Sequence, residues 1–141
     1  MEGVMNDIYP KELALTSDKA DQRSHYLDLD ITIRDNKFYT KLFDKRDAFD
    51  FQIVNFPDLS GNIPKKHIYD VFVSQMVRYA RCCDELKDFV DRTKMLIDRL
   101  TKQNFILSQL RRTFVKFTAT HYKLLFKYNV SSRAMHDCCY C

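Results

Sequence analysis

Glycine is nearly absent from this chain of 141 residues, which has two glycines, three prolines and no tryptophan. Glycine normally accounts for about 7% of residues, and it forms the tight hairpin turns of all-β folds and the loops that cradle phosphates. Its scarcity therefore argues against an all-β fold and against a glycine-loop nucleotide site. The chain also lacks any apolar run approaching the roughly 18 residues that a transmembrane helix needs, so we predict no membrane partner.

A secretory signal is also missing, because the first residues include acids and no apolar core segment. The five cysteines are odd in number and lie in two clusters, at 82–83 and at 138–141. Without a secretory signal, free thiols in a reducing compartment are the better interpretation. We therefore expect an intracellular protein, nuclear or cytoplasmic, and the sequence does not choose between these two compartments.

Charge is unevenly distributed along the chain. Residues 1–64 contain 8 basic and 12 acidic side chains, whereas residues 65–141 contain 15 basic and 7 acidic ones. Between Arg99 and Arg133 there are eight basic residues and no acid. A basic half of this kind favours a polyanionic partner, with nucleic acid as the first choice. The other interpretation is an ordinary solvated helix face.

The first half of the chain has the alternating pattern of β-strands. After an extended lead-in over 1–25, Leu27, Leu29, Ile31 and Ile33 alternate with polar residues, and a second alternating run covers 38–43. The Asp-Asn-Lys sequence at 35–37 separates the two runs and suits a turn. We predict a β-hairpin here, and a third short strand is possible at 47–54. An irregular segment completes the region 26–64.

The second half has the period of α-helices. Apolar residues predict helices over about 66–82, 85–102 and 106–128, with Asp84 as the N-cap of the second. The sequence therefore predicts an α+β fold that is mainly α: an N-terminal β-hairpin followed by a three-helix bundle or helix-turn-helix unit over 65–130. We expect a flexible tail over 131–141.

Asp28 and Asp30 are spaced to lie on one face of a strand, where two carboxylates could hold a divalent cation. Alternation in a half-exposed hairpin places polar residues there by default. No third carboxylate, glycine loop or general base accompanies the pair, so we favour the structural interpretation.

The remaining chemical candidates are zinc ligands near the end of the chain and two lone histidines: His136, Cys138, Cys139 and Cys141, and His67 and His121. Adjacent cysteines do not match the usual two-residue spacing of zinc ligands. Neither lone histidine can be given a catalytic partner from the sequence. We therefore predict no catalytic residue, no metal site and no cofactor.

Basic side chains of the helical half are the stronger functional signal, because they suit contact with a phosphate backbone. The predicted nucleic-acid-binding residues are Arg78, Arg81, Arg99, Lys102, Arg111, Arg112, Lys116, Lys123 and Lys127. Aromatic side chains that could stack on bases are Tyr39, Tyr79, Phe105 and Tyr122, although aromatics at helical spacing more often belong to the core.

A set of short motifs occurs in a fixed order along the chain. These are IYPKEL at 8–13, YLDLDI at 26–31, DKRDAFDF at 44–51, IVNFP at 53–57, NIP at 62–64, SQMVRYAR at 74–81 and DFVDR at 88–92. Together they resemble the region at and after the C-terminal end of the reverse transcriptase domain in animal retroelements of Penelope-like or related type. The resemblance covers roughly residues 7–128.

The resemblance implies that the two halves of the chain have different roles. It likens residues 26–64 to the end of a polymerase palm and the helices after Pro64 to a thumb-like helix-turn-helix that grips the template–primer backbone. The family's catalytic aspartates belong to a motif that is absent from this sequence, so Asp28 and Asp30 do not inherit that role. Asn104 stands where relatives commonly have a glycine before the last helix.

Two classes of function remain open at this point. The first is a nucleic-acid-binding C-terminal fragment of a retroelement reverse transcriptase, contacting an RNA–DNA hybrid or duplex backbone, without activity of its own and missing its palm. The second is a helical protein-interaction module whose basic residues only keep it dissolved. A non-functional retroelement remnant is a third possibility.

Overall fold

A computed structural model describes residues 22–51, 53 and 56–140 of the chain. The described part is a three-stranded antiparallel sheet in the order β1-β2-β3, followed by a group of helices. The predicted α+β class with an N-terminal hairpin and a helical second half is therefore confirmed. Most of the predicted lead-in lies outside the described residues.

The predicted hairpin is formed by β2, Leu29–Arg34, and β3, Lys37–Leu42, with Arg34 opposite Lys37 at its closed end. Asp35 and Asn36 connect the strands and have φ angles of 50° and 58°. A two-residue hairpin turn needs this left-handed backbone, which Asn and Asp tolerate better than other residues with a side chain. The turn thus forms without glycine.

Strand β1, Arg23–Tyr26, was not predicted as a separate element. It pairs antiparallel with β2 through a second tight turn, in which Leu27 has a φ angle of 53°. All four residues of β1 are exposed, so no alternation of buried and exposed positions marks the strand in the sequence. The alternating run predicted from Leu27 therefore forms a strand only from Leu29, because Leu27 lies in the turn.

The third strand proposed for 47–54 is absent from the described part of that segment. Lys45–Ala48 forms a short 3-10 helix, and residues 49–51 are irregular. Asp44 begins the 3-10 helix because its side chain accepts a hydrogen bond from the Arg46 backbone N–H at 3.1 Å. Residues 52 and 54 lie outside the described residues.

Six helices follow, numbered α1 to α6: Lys65–Ile68, Asp70–Cys82, Leu86–Thr101, Leu107–Thr120, Tyr122–Leu125 and Ser132–Tyr140. A 3-10 helix over Phe126–Tyr128 extends α5. The first and third predicted helices are thus each interrupted once, at Tyr69 and at His121. The predicted second helix agrees with α3.

Asn104 ends the turn after α3 in left-handed geometry, with a φ angle of 64°. The Phe105 N–H donates to the Leu100 carbonyl at 3.1 Å, and both side chains are buried. This is the hydrogen bond and apolar contact of a Schellman C-cap. The Asn104 amide also donates to both carboxylate oxygens of Asp58, at 3.0 and 3.1 Å.

Helix α6 occupies most of the segment in which we expected a flexible tail. Its Met135 and Cys139 side chains are buried, and the helix packs against α3 and α4. A spacing of four residues places both on one face of a helix, which gives the segment an apolar side to bury. The tail prediction is therefore replaced by a helix over 132–140.

The largest fully buried side chains come from the sheet and from all the longer helices: Leu42, Phe72, Met76, Phe89, Leu96, Leu100, Leu110, Phe114 and Met135. Leu42 at the end of β3 lies in the same cluster as the helical residues. The sheet therefore shares one core with the helices instead of standing apart from them.

Asp84, between α2 and α3, fastens the sheet to the helices. Its carboxylate accepts hydrogen bonds from the backbone N–H and the hydroxyl of Thr40, at 2.7 and 2.8 Å, and its own N–H donates to the Thr40 carbonyl at 2.9 Å. We predicted Asp84 as the N-cap of α3, which was wrong. Glu85 takes the N-cap position and makes no side-chain cap.

We expect Asp84→Ala to lower the free energy of unfolding by about 1–2 kcal/mol, because the Thr40 N–H and hydroxyl lose a charged acceptor. Urea denaturation of the full chain measures this loss. Glu85→Ala is the matched control. Glu85 makes only a surface ion pair with Arg34 at 3.2 Å, and such pairs contribute little. Equal losses in the two variants would contradict the role assigned to Asp84.

Candidate nucleic-acid interface

Asp28 and Asp30 do not share a site. Asp28 lies in the turn between β1 and β2, where it is exposed and pairs with Arg78 of α2 at 2.6 Å. Asp30 is only 2% exposed and lies within β2. The strand begins at Leu29, so the two carboxylates are not successive positions on one strand face. Their separate partners leave no paired-carboxylate arrangement for a cation.

Asp30 is instead held by cations on the neighbouring strands. Arg23 of β1 donates two hydrogen bonds to its carboxylate, at 2.9 and 2.6 Å, and Lys41 of β3 lies at 3.5 Å. The hydrogen bonds from Arg23 lower the pKa of Asp30, and this effect exceeds the opposing effect of burial. The carboxylate therefore stabilises the sheet in its charged form.

This arrangement predicts an acid-sensitive contribution to stability. Because the pKa of Asp30 is lower in the folded chain, its contribution is complete above the unfolded value of about 4 and is lost as the pH falls through the folded value. We expect Asp30→Asn to destabilise the chain at pH 7 and to lose less stability than the original sequence between about pH 5 and pH 2.

Urea denaturation at each pH measures the difference. Asp91→Asn is the control, because Asp91 is an exposed residue on α3. The control should follow the original sequence at every pH. A pH profile of Asp30→Asn parallel to that of the original sequence would show that Arg23 and Lys41 do not stabilise the charged form.

Several of the predicted nucleic-acid-binding residues are held in ion pairs within the chain. Besides Arg78, Arg99 of α3 pairs with Asp47 at 2.9 Å and lies 3.7 Å from Asp44. Lys102 pairs with Asp98 at 2.8 Å. The structure thus gives Arg78 and Arg99 the role of joining the acidic first half of the chain to the helices.

Arg92, which we did not predict as important, completes this internal cluster. It pairs with Asp47 and donates to the Leu42 carbonyl at 3.0 Å, so it links α3 to the end of β3. Its only sequence signal was its place in the DFVDR motif. Charge counting alone does not distinguish such an internal arginine from one that faces solvent.

The basic residues of α4 and α5 are placed differently. Arg112, Lys116 and Lys123 are exposed, and none of them forms an ion pair with another described residue. Arg112 and Lys116 are four residues apart on α4, which puts them on one side of that helix. These three residues form what we call the basic surface.

Three further predicted residues lie outside this trio. Arg111 is exposed and takes part in an interaction within the chain. Lys127 lies 3.8 Å from Asp84 and over the ring of Tyr128. Arg81 is exposed in the last turn of α2, on a different helix. The structure therefore leaves only part of the predicted set exposed and without an ion pair to a described residue.

Most of the predicted stacking residues are not available to a ligand. Tyr79 and Phe105 are buried in the core, and the guanidinium of Arg34 lies over the ring of Tyr39 at 5.5 Å. Tyr122 is exposed. We did not predict Phe126, which is also exposed and lies beside Lys127. Its spacing of four from Tyr122 was the available signal.

Among the side chains that the structure describes, which do not include those of His136 and Cys141, histidine and cysteine form no reactive centre. The His121 ring stacks on Phe117, with ring centres 4.8 Å apart. Cys139 is buried, and burial raises its pKa to about 12, so the thiol stays protonated. Within residues 22–51, 53 and 56–140, no three His, Cys, Asp or Glu side chains are grouped so that they could hold a metal ion.

Comparison with protein-family models, curated proteins and solved structures finds no match to this chain. Of the helices that the structure describes, none is long and apolar enough to span a bilayer.

Proposed function

We propose that this chain is a nucleic-acid-binding module, equivalent to the C-terminal, thumb-like part of a retroelement reverse transcriptase and without catalytic activity of its own. One observation carries the proposal. Arg112, Lys116 and Lys123 are exposed, and no described carboxylate pairs with them. Uncompensated positive charges along a helical surface favour a polyanion, which gains affinity by releasing counterions.

The local acid content supports the same partner. No Asp or Glu occurs between residues 99 and 133, so the helices that carry the basic surface supply no carboxylate of their own. Contacts from Arg and Lys to phosphate position a nucleic acid and carry no base preference. The module would accordingly bind with little sequence specificity.

The resemblance to reverse transcriptases adds the biological context of the proposal. Relatives commonly have a glycine in the turn before the last helix, and this chain departs from that pattern with Asn104, which still adopts left-handed geometry with a φ angle of 64°. The SQMVRYAR motif lies on α2, where Tyr79 and Ala80 are core residues and Arg78 binds Asp28. These motif residues support the fold, and the binding role falls to α4 and α5.

The proposal predicts salt-dependent binding to an RNA–DNA hybrid with a single-stranded extension, with measured affinity falling as salt rises. We expect Arg112→Ala, Lys116→Ala and Lys123→Ala together to weaken binding. They should also reduce the slope of log affinity against log salt by about 2–3, since each phosphate contact contributes roughly 0.7–0.9. Fluorescence anisotropy at several salt concentrations measures both quantities.

A second triple variant controls for the loss of three charges. Lys37, Lys87 and Lys94 are exposed on β3 and α3, elements that carry none of the three residues of the basic surface. Their replacement by alanine should change the salt slope much less. Binding that is equally strong at low and high salt, or two triple variants with the same slope, would refute the proposal.

A protein-interaction module is the second candidate, and a separate surface favours it. The rings of Phe49 and Phe51 pack together with centres 5.3 Å apart, and both are at least half exposed. They line an open hollow of about 380 Å³ together with the exposed Met95. Grouped exposed apolar side chains of this kind mark contact sites.

This candidate predicts self-association or a protein partner that nucleic acid does not influence. Light scattering with and without an oligonucleotide separates the two functions. A larger mass that persists with the oligonucleotide and disappears in Phe49→Ser with Phe51→Ser would favour protein interaction. A complex of one chain with the oligonucleotide would favour nucleic-acid binding.

A further inference from the structure

Two aromatic side chains lie in solvent at the end of the α4–α5 region. Phe126 is 80% exposed and Tyr122 is 58% exposed. Phe126 has the largest exposed fraction of the large hydrophobic side chains that the structure describes. Both residues line a shallow cavity of about 180 Å³ between α5 and the start of α6. An isolated exposed apolar residue is ordinary, but two aromatic rings beside one cavity are a candidate contact site.

The cavity is built to receive an apolar face. Leu125 and Met135 are buried beneath it, and none of the described residues that line it is charged. Two of its hydroxyl groups make hydrogen bonds within the chain. Thr118 donates to the Val115 carbonyl at 2.8 Å, and the Ser131 hydroxyl accepts from the Ala134 N–H at 3.3 Å. The lining offers no charged side chain to a carboxylate or a metal ion.

Positive charge lies near this apolar site along the chain. Lys123 directly follows Tyr122, is exposed and forms no ion pair with another described residue. Lys127 directly follows Phe126 and lies 3.8 Å from Asp84 and over the ring of Tyr128. A fitting ligand therefore combines regularly spaced negative charges with flat apolar groups, which is the chemistry of a nucleic-acid strand.

The exposed faces of the two rings favour an unpaired strand over a paired one as the ligand. In a duplex, the faces of the bases are stacked on one another and only their edges reach the grooves. An aromatic side chain stacks readily on an unpaired base, whereas in a duplex it must first force the stacked base pairs apart. The faces of the two exposed rings would find no flat group to stack on if this surface bound only the backbone of a duplex.

We propose that Tyr122 and Phe126 form a stacking site for unpaired nucleobases, so that this chain prefers single-stranded nucleic acid to a duplex of the same sequence. The inference rests on the proposed function, because it specifies the kind of nucleic acid that binds beside the basic surface. Stacking on aromatic rings accepts every base, and the preference is therefore for strandedness and not for sequence.

The experiment uses the full chain and three fluorescent oligonucleotides with equal numbers of phosphates per strand. These are a mixed-sequence single strand, the same strand paired with its complement, and a single strand that lacks bases. We expect the first to bind most tightly. Tyr122→Ala and Phe126→Ala should each weaken its binding about tenfold, with an unchanged salt slope because no phosphate contact is lost. Both changes should leave binding of the abasic strand unaltered.

Phe38→Ala is the matched control, because Phe38 is a phenylalanine of similar exposure, 73%, at the start of β3. It should not change binding of any oligonucleotide. Thermal denaturation checks that the aromatic variants remain folded, which their solvent exposure predicts. A loss of affinity that is the same for the abasic strand and the complete strand would overturn the stacking assignment.

The remaining outcomes separate this inference from the proposed function. Salt-dependent binding that ignores Tyr122→Ala and Phe126→Ala would overturn the stacking site and leave the nucleic-acid module intact. Failure to bind any of the three oligonucleotides would overturn both. An acidic peptide that displaces the single strand, and whose own binding requires Phe126, would assign the site to a protein partner instead.

Discussion

The break between α2 and α3 links the parts of the molecule, because two consecutive residues there contact the sheet and the 3-10 extension of α5. The Cys83 carbonyl accepts a hydrogen bond from the Tyr128 hydroxyl at 2.7 Å. The Asp84 carboxylate accepts a hydrogen bond from the Thr40 N–H, and the Asp84 N–H donates one to the Thr40 carbonyl. Polar backbone groups at a helix break need partners when they are covered. Here the partners come from β3 and from the end of α5. The same contacts also occupy part of the free edge of β3, which would otherwise be open to pairing with another chain.

Ion pairs between the two halves explain part of the charge asymmetry in the sequence. Asp47 binds Arg92 and Arg99, and Asp28 binds Arg78, so acids of the first half neutralise bases of the second. Much of the charge that suggested a polyanion is therefore used inside the chain. Arg112, Lys116 and Lys123 have no such partner among the described residues. The charge available to a ligand is therefore smaller than the count implies.

The sequence predicted those elements that have a strong local signal. The hairpin followed from alternation and from the Asp35-Asn36 turn, and α3 followed from its helical period. Strand β1 could not be predicted, because its residues are all exposed and it depends on pairing with β2. Helix α6 was missed because its apolar face consists mainly of Met135 and Cys139, which form a face only once α3 and α4 are present. For the candidate site, residue types were predictable, but which arginines pair internally depends on tertiary contacts.

The α4–α5 region contains two features that do not help the chain to fold. Like charges on one side of a helix repel each other at spacings of three or four residues, and a phenylalanine that remains 80% exposed gains little from burial. Elsewhere in the described part of the chain, most arginines pair with carboxylates and the core aromatics are buried, although Arg81 and Phe38 are also exposed. Natural sequences tend to depart from such consistency at functional sites. The phosphates of a nucleic acid would neutralise the like charges, and its bases would cover the exposed phenylalanine. These two effects together favour nucleic acid over a partner that provides only one of them.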